Sequence, residues 1–227
     1  MISLKDKIVL ITGASAGIGE ACAVAFAREG AKILMCARRK DKLSALTDEL
    51  RDKHKADCHF FQLDVRDQKA VATIIGTLPE KWKAIDILIN NAGLSRGLSK
   101  LHEADIVDWE EMIDTNVKGL LYVSRAVIPG MVARGSGHIV NIGSIAGHEV
   151  YPGGNVYCAT KHAVDALTKG MQIDLVDTPI RVSSVDPGMV DTEFSMVRFH
   201  GDAEKAEKVH KGLTPLTGDD IAAAIVF

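Results

Sequence analysis

The sequence has little cysteine, and none of it is paired in pattern: Cys22, Cys36, Cys58 and Cys158 stand singly, with no C-x-x-C spacing. This argues against a disulfide framework and for a reducing, cytoplasmic setting. Metal-binding patterns are missing too. The eight histidines form no H-E-x-x-H and no zinc-ligand spacing with the cysteines, so no metal site is expected. Nor is there an excess of positive charge: 27 Lys and Arg against 30 Asp and Glu leave a net charge of −3. That removes the basic footprint of a nucleic-acid binder and the polybasic patch of a membrane-surface protein. No segment approaches the ~18 apolar residues of a membrane span. The opening MISLKDKIVLITG sets charges before a run too short for a signal peptide. Repeats, low-complexity tracts and interdomain linkers are absent as well. The expectation is one domain over residues 1–227, large enough to bury a full core.

What is present is a regular alternation. Strand patterns at 7–12, 32–37, 57–63, 85–89, 138–143 and 180–185 alternate with helical patterns at 20–29, 41–54, 67–78, 105–134 and 155–176, and a last helix starts near 217. This implies an α/β fold, a doubly wound (Rossmann) parallel sheet with helices on both faces. Open sheets of this kind bind ligands outside the carboxyl ends of their strands. The unusual residues of this chain fall at those ends.

The first strand runs into Gly13-Ala14-Ser15-Ala16-Gly17-Ile18-Gly19 and then a helix. Such a junction points backbone N–H groups and a helix dipole at a phosphate. The spacing is G-x-x-x-G-x-G, and by itself a glycine turn before a helix is also plain turn chemistry. The second strand ends at Arg38-Arg39-Lys40, with no Asp or Glu at the tip. An acidic residue there would take a ribose 2′-hydroxyl, whereas arginine suits a 2′-phosphate. The competing reading is that RRKDK opens the solvated face of the next helix. Later strands end at Asp64-Val65 and at Asn90-Asn91-Ala92-Gly93, and Asn116 lies inside a helical pattern it does little to favour.

The richest stretch is HIVNIGSIAGHEVYPGGNVYCATK, residues 138–161. A buried strand gives out at Ser144, and the following helix carries Tyr157 and Lys161 one turn apart on one face. An ammonium beside a phenol favours the phenolate, lowering the pKa from its ordinary ~10. A phenol so tuned exchanges a proton with a carbonyl or alcohol oxygen. Alone, Y-x-x-x-K is also an ordinary helix pair. The sixth strand ends at Asp186-Pro187-Gly188-Met189-Val190-Asp191-Thr192. A segment at about 190–212 then mixes Phe194, Met196, Val197 and Phe199 with many charges, the composition of a lid.

Taken in order, TGASAGIG at 12–19, NNAG at 90–93, Asn116, Ser144, Tyr157-x-x-x-Lys161 and Pro187-Gly188 resemble the short-chain dehydrogenase/reductase family over essentially the whole chain. The resemblance implies hydride transfer between a nicotinamide ring and a carbonyl or alcohol carbon. Tyr157 would be the general acid/base, and Lys161 would lower its pKa and hold the nicotinamide ribose. Ser144 would hold the substrate oxygen, and Asn116 would seat a relay water behind Lys161. Gly13, Ser15, Gly17, Ile18 and Gly19 would line the pyrophosphate and adenosine ribose, and Asp64 and Val65 the adenine. Asn91, Ala92 and Gly93 would line the ribose, and Pro187, Gly188, Val190 and Thr192 the carboxamide side. With Arg38 and Arg39 facing the 2′ oxygen, the implied cofactor is NADP. The implied partner set is a small-molecule substrate and further copies of the chain, a tetramer by likeness.

INNAGL, DTNVKGLLYVSRAVIPGMV, GHIVNIGSIAG, YPGGNVY and EFSMVRFHGDAEKAEK further resemble the NADP-dependent branch that oxidises 3-hydroxy acids, the serine/allo-threonine dehydrogenase type. Its substrates carry a carboxylate, and Arg198 in the lid is the candidate cation. The alternative enzyme is a broad carbonyl or 3-ketoacyl reductase of the same family. The alternative of another class is a non-catalytic NADPH-binding sensor, which has no need of Ser144, Tyr157, Lys161 and Asn116 together. The chain ends inside its last helix, where the family usually continues to a further strand at the sheet edge.

Overall fold

The computed structural model describes residues 3–209, 212 and 214–227; of the expected lid, His210 and Lys211 lie outside the described residues. Six strands, β1 (Ile8–Thr12), β2 (Lys32–Ala37), β3 (Cys58–Gln62), β4 (Ile87–Asn90), β5 (Gly137–Ile142) and β6 (Ile180–Val185), form a wholly parallel sheet in the order β3-β2-β1-β4-β5-β6. The order reverses between β1 and β4, which opens a crevice at their carboxyl ends.

Strand periodicity explains the layers. Val9 and Ile11 of β1 face one side, with Ile33 and Met35 of β2, and pack under Cys22 and Phe26 of α1 (Gly17–Arg28) and Leu43 and Leu50 of α2 (Lys40–His54). Ile8, Leu10 and Leu34 face the other side. They meet Val71 and Ile75 of α3 (Gln68–Gly76) and Val123, Val127 and Met131 of a helix further along the chain. Because alternate side chains are buried on opposite faces, the strands read as continuous apolar runs. Each large aliphatic side chain buried this way contributes about 1.5–3 kcal/mol.

The expected single helix at 105–134 is three pieces: α4 (Ile106–Ile113), a π-helical turn (Asp114–Gly119) and α5 (Leu120–Arg134). The wide turn lies where Asn116 is buried with its side chain committed to the strand β4 loop rather than to its own helix. A periodicity of 3.6 continues through such a turn with one residue added, so the apolar pattern does not reveal it.

Beyond the 20-residue α6 (Asn155–Asp174) and β6, two short strands not expected from the sequence, β7 (Val190–Asp191) and β8 (Leu216–Thr217), pair parallel. Between them lie α7 (Phe194–Arg198) and α8 (Ala203–Val209). The closing helix α9 (Gly218–Val226) opens with a capping box: Thr217 Oγ1 accepts from the Asp220 N–H, and Asp220 accepts from the Thr217 N–H. Among the described residues no helix is long and apolar enough to cross a membrane.

One polar rung crosses the core. Asn90 Nδ2 donates to Ser124 Oγ and to Asn141 Oδ1, both at 2.9 Å, and Asn141 Nδ2 donates to Thr168 Oγ1 at 2.9 Å. These bonds tie β4, β5, α5 and α6 together out of water, where an unpaired polar group costs about 1–3 kcal/mol. Asn141→Ala leaves one N–H of the Asn90 amide without its acceptor and deprives Thr168 of its donor. Urea unfolding should show a loss of about 2–4 kcal/mol. A loss under 0.5 kcal/mol would mean the rung contributes no net stability.

Candidate active site

A cleft of about 730 Å³ runs along the carboxyl edge of the sheet. Gly13, Ser15, Gly17 and Ile18 line it, as do Arg38, Arg39, Asp64 and Val65. Asn91, Ala92, Gly93, Ser144, Tyr157, Lys161, Pro187, Gly188, Val190 and Thr192 complete the expected set that the cleft brings together. Gly19, Asn116 and Arg198 sit behind this surface.

The cleft is built from strand ends inward. Thr12 Oγ1 donates to the Ile89 carbonyl and accepts the N–H groups of Asn91 and Ala92 at 3.0 and 2.9 Å, which fixes β4 to the glycine turn. Asn91 Nδ2 donates back to the Thr12 carbonyl at 2.9 Å. Gly19 was expected along the cleft; it lies beneath the turn, where a Cβ would stand 2.6 Å from the Gly13 carbonyl oxygen. Its smallness serves helix-to-strand packing. Gly17 has φ +58°, and Thr192 closes over it, a Cβ there lying 3.1 Å from the threonine methyl. The N-cap of α1 is Ala16, which makes no side-chain cap, so the first N–H groups of the helix are open to an anion.

At the basic tip the two arginines differ. Arg39 Nε donates to Ser15 Oγ at 3.2 Å and Nη2 to the Ser15 carbonyl at 3.3 Å, so its guanidinium lies on the phosphate turn. Arg38 is turned toward Glu111 at 3.5 Å and is half-exposed. Neither merely opens the solvated face of α2.

At the other end, Tyr157 and Lys161 share the buried face of α6 as their spacing requires. Burial pushes the Tyr157 phenol up to about 12, and a hydrogen bond from the Ser144 hydroxyl and the positive charge of Arg198 pull the other way. Burial pushes the Lys161 ammonium down to about 8, opposed by Asp186. Lys161 Nζ donates to the Ile142 carbonyl at 2.8 Å and stands 6.0 Å from the Tyr157 ring centre. Burial thus outweighs the lowering of the phenol expected from Lys161: two groups buried together each favour their neutral form, and Ser144 and Arg198 supply the counter-pull.

Asn116 clamps the segment after β4. Its Oδ1 accepts the Leu94 N–H at 2.8 Å, and its amide donates to the Leu94 carbonyl and to Thr160 Oγ1 at 2.8 and 3.0 Å. Arg198 is enclosed by rings, 5.5 Å from Tyr157, 5.2 Å from Phe194 and 6.0 Å from Tyr151. Its Nη2 donates to Tyr151 Oη at 3.1 Å. Among the described residues its buried Nε–H has no partner. Cys158 is simply packed.

Sequence reasoning missed Arg96 and Glu193, and named Phe194 only as part of the lid. Arg96 lines the cleft, binds Glu111 at 2.6 Å through Nε and donates to the Val197 carbonyl. The Phe194 ring meets Tyr157 edge-on at 5.7 Å. Glu193 bridges Arg39 and Lys42. No local pattern marks these residues, since each partner is distant in sequence. Among the described residues no group of His, Cys, Asp and Glu is placed to hold a metal.

A strand–glycine-turn–helix cradle at one end of a cleft and a Ser–Tyr–Lys cluster at the other define a dinucleotide-linked dehydrogenase. Residues 7–203 match the model of the short chain dehydrogenase family, and the chain belongs to that family. It is 49% identical over 219 residues to NADP-dependent 3-hydroxy acid dehydrogenase YdfG of Shigella flexneri, spanning 96% of this chain and 87% of that protein. It is 45% identical to the NADP-dependent 3-hydroxy acid dehydrogenase of Schizosaccharomyces pombe, over 100% and 88% of the two chains. Among solved structures, the closed form of a serine dehydrogenase complexed with NADP+ superposes with a TM-score of 0.91 at 47% identity, over 96% of this chain and 87% of that one. The serine dehydrogenase of Escherichia coli superposes with a TM-score of 0.82 at 42% identity, over 96% and 89%.

The lysine gives a stability test. Its folded pKa of about 8 lies below the usual 10.5, so its contribution is fully present above pH 10.5 and is lost as pH falls through 8. In nucleotide-free protein, the unfolding free energy of the wild type minus that of Lys161→Met should rise by a few kcal/mol from pH 8 to 10. A flat difference in urea titrations across that range would show that Lys161 is not desolvated.

Proposed function

We propose that the chain is an NADP(H)-dependent dehydrogenase that moves a hydride between the cofactor and the hydroxyl-bearing carbon of a small 3-hydroxy acid of the serine, allo-threonine or 3-hydroxyisobutyrate kind, or reduces the corresponding semialdehyde. The observation that carries this reading is one cleft with Arg39 at one end and, at the other, Ser144 and Tyr157 backed by the half-buried Arg198. The names of the relatives support both the cofactor and the substrate class.

The residues fit a dinucleotide phosphate: the uncapped start of α1 suits a pyrophosphate, and Arg39, fixed on Ser15, suits a 2′-phosphate with Arg38 beside it. Asp64 and Val65 flank the adenine in this reading. Asn91, Ala92, Gly93 and Lys161 hold the ribose, and Pro187, Gly188, Val190 and Thr192 the carboxamide. When bound, the nicotinamide accepts or donates the hydride. Ser144 donates a hydrogen bond to the substrate oxygen, and Tyr157 exchanges the proton of that oxygen. A phenol held high by burial is protonated at neutral pH, which suits proton donation to a carbonyl. Both amide hydrogens of Asn116 are committed, so a relay water beside it takes its hydrogen bond from other groups and donates to an Asn116 oxygen. Arg198, its guanidinium braced by Tyr151, supplies the positive charge for the substrate carboxylate.

The segment at 190–212 acts as a lid on a single dinucleotide-binding domain, a role that the β7–β8 pairing at its base supports. Four buried, unlinked cysteines fit a reducing compartment, and the cytoplasm is the proposed location. The exposed apolar side chains Ile106 and Val107 of α4 and Leu121 of α5 (62, 66 and 39% exposed) suit contact with another copy of the chain.

With a panel of 3-hydroxy acids, purified protein should reduce NADP+ with a kcat/KM at least tenfold above that for NAD+, and Tyr157→Phe should cut kcat by about 10²–10⁴-fold with cofactor still bound. The absence of turnover with any alcohol or carbonyl would leave the NADPH-binding sensor. Arg198→Ala should raise KM about tenfold or more for 3-hydroxy acids and far less for uncharged alcohols of similar size; an equal effect on both would move the carboxylate partner elsewhere. Light scattering should give a mass that is a multiple of 24.4 kDa, a tetramer by likeness, and a monomer at micromolar concentration would remove the proposed contact.

A further inference from the structure

We propose that Glu193 is a built-in competitor for the cofactor's 2′-phosphate, and that Arg39 and Lys42 are the pair of cations for which the two anions compete. The inference rests on the NADP reading above and deepens it.

Glu193 divides its carboxylate between two cations. Oε2 takes Arg39 Nη1 at 2.6 Å, and Oε1 takes Lys42 Nζ at 3.2 Å. Arg39 meanwhile directs Nε and Nη2 to Ser15, so the nitrogen it offers the lid, Nη1, is the one not engaged with the glycine turn. A carboxylate bridging an arginine and a lysine occupies the kind of place a phosphate monoester needs, with two charge-assisted donors converging on adjacent oxygens. The bridge thereby identifies Lys42, on the first turn of α2, as the second cation of the subsite. Arg38 is the weaker candidate because it is turned toward Glu111.

A phosphate dianion and the Glu193 carboxylate cannot share these two cations without repulsion. Entry of a 2′-phosphate therefore releases Glu193, whereas a free 2′-hydroxyl leaves the bridge intact. Glu193 is also the residue before α7, whose first residue, Phe194, packs against Tyr157. The 2′-phosphate is thus sensed at the root of the lid. Exposed ion pairs are weak, so the competition is worth about two- to tenfold in affinity.

Adenosine 2′,5′-bisphosphate and 5′-AMP, titrated calorimetrically into the full chain, differ only in the phosphate at issue. Glu193 and Lys42 are 42 and 49% exposed, so their substitution spares the core. Glu193→Gln should bind the bisphosphate about two- to tenfold more tightly, and Lys42→Met about three- to tenfold more weakly, with 5′-AMP unchanged in both. In the Lys42→Met background the gain from Glu193→Gln should shrink, as expected for coupled sites. If the wild type prefers the bisphosphate and Glu193→Gln leaves that affinity unchanged or lower, the competition is overturned. An unchanged affinity in Lys42→Met would overturn the share given to Lys42. A wild type that binds both nucleotides equally would overturn the NADP reading itself.

Discussion

The hydroxyl of Thr12 holds the site together. A parallel sheet buried on both faces leaves its polar main chain unsatisfied where the strands end, and at the β1–β4 crevice one side chain resolves this. Thr12 donates to Ile89 and accepts from Asn91 and Ala92, so the end of β4 is set against the glycine turn through three bonds to one oxygen. The floor of the cleft follows from that constraint, because Gly13 and Asn91 to Gly93 take their positions from it. A glycine at position 19 then lets α1 approach closely enough to present its open N-terminus.

The other end of the cleft rests on a second clamp, one element further on. Asn116 grips both main-chain groups of Leu94 and can do so because its helix widens into a π turn. The widening brings the amide inward, under the helix carrying Tyr157 and Lys161, where it also meets Thr160. Helix irregularity and the shape of this end of the cleft are here one feature seen from two sides.

The sheet was legible because double-sided burial writes itself as unbroken runs such as KIVLIT and KILMCA, with glycine or a change of polarity at each end. The cleft residues were legible because strand ends in a doubly wound sheet converge on one edge. The π turn was not, since adding one residue barely disturbs an apolar stripe, and β7 and β8, at two residues each, are too short to show a period. Spacing identified Tyr157 and Lys161 as neighbours but said nothing of their shared burial, which outweighs the lowering expected of the phenol. Glu193 and Arg39 are 154 positions apart, a separation across which no local pattern speaks.

The pairing of β7 with β8 gives the segment between them an unusual mechanical character. Both ends are pinned at adjacent points, so the excursion is a closed loop of roughly two dozen residues whose closure entropy has already been spent in folding. The baseline of such a loop is separate from the six-stranded sheet, since β7 and β8 pair only with each other. A shift of that loop over the cleft would therefore leave the strand ends that line the cleft where they are.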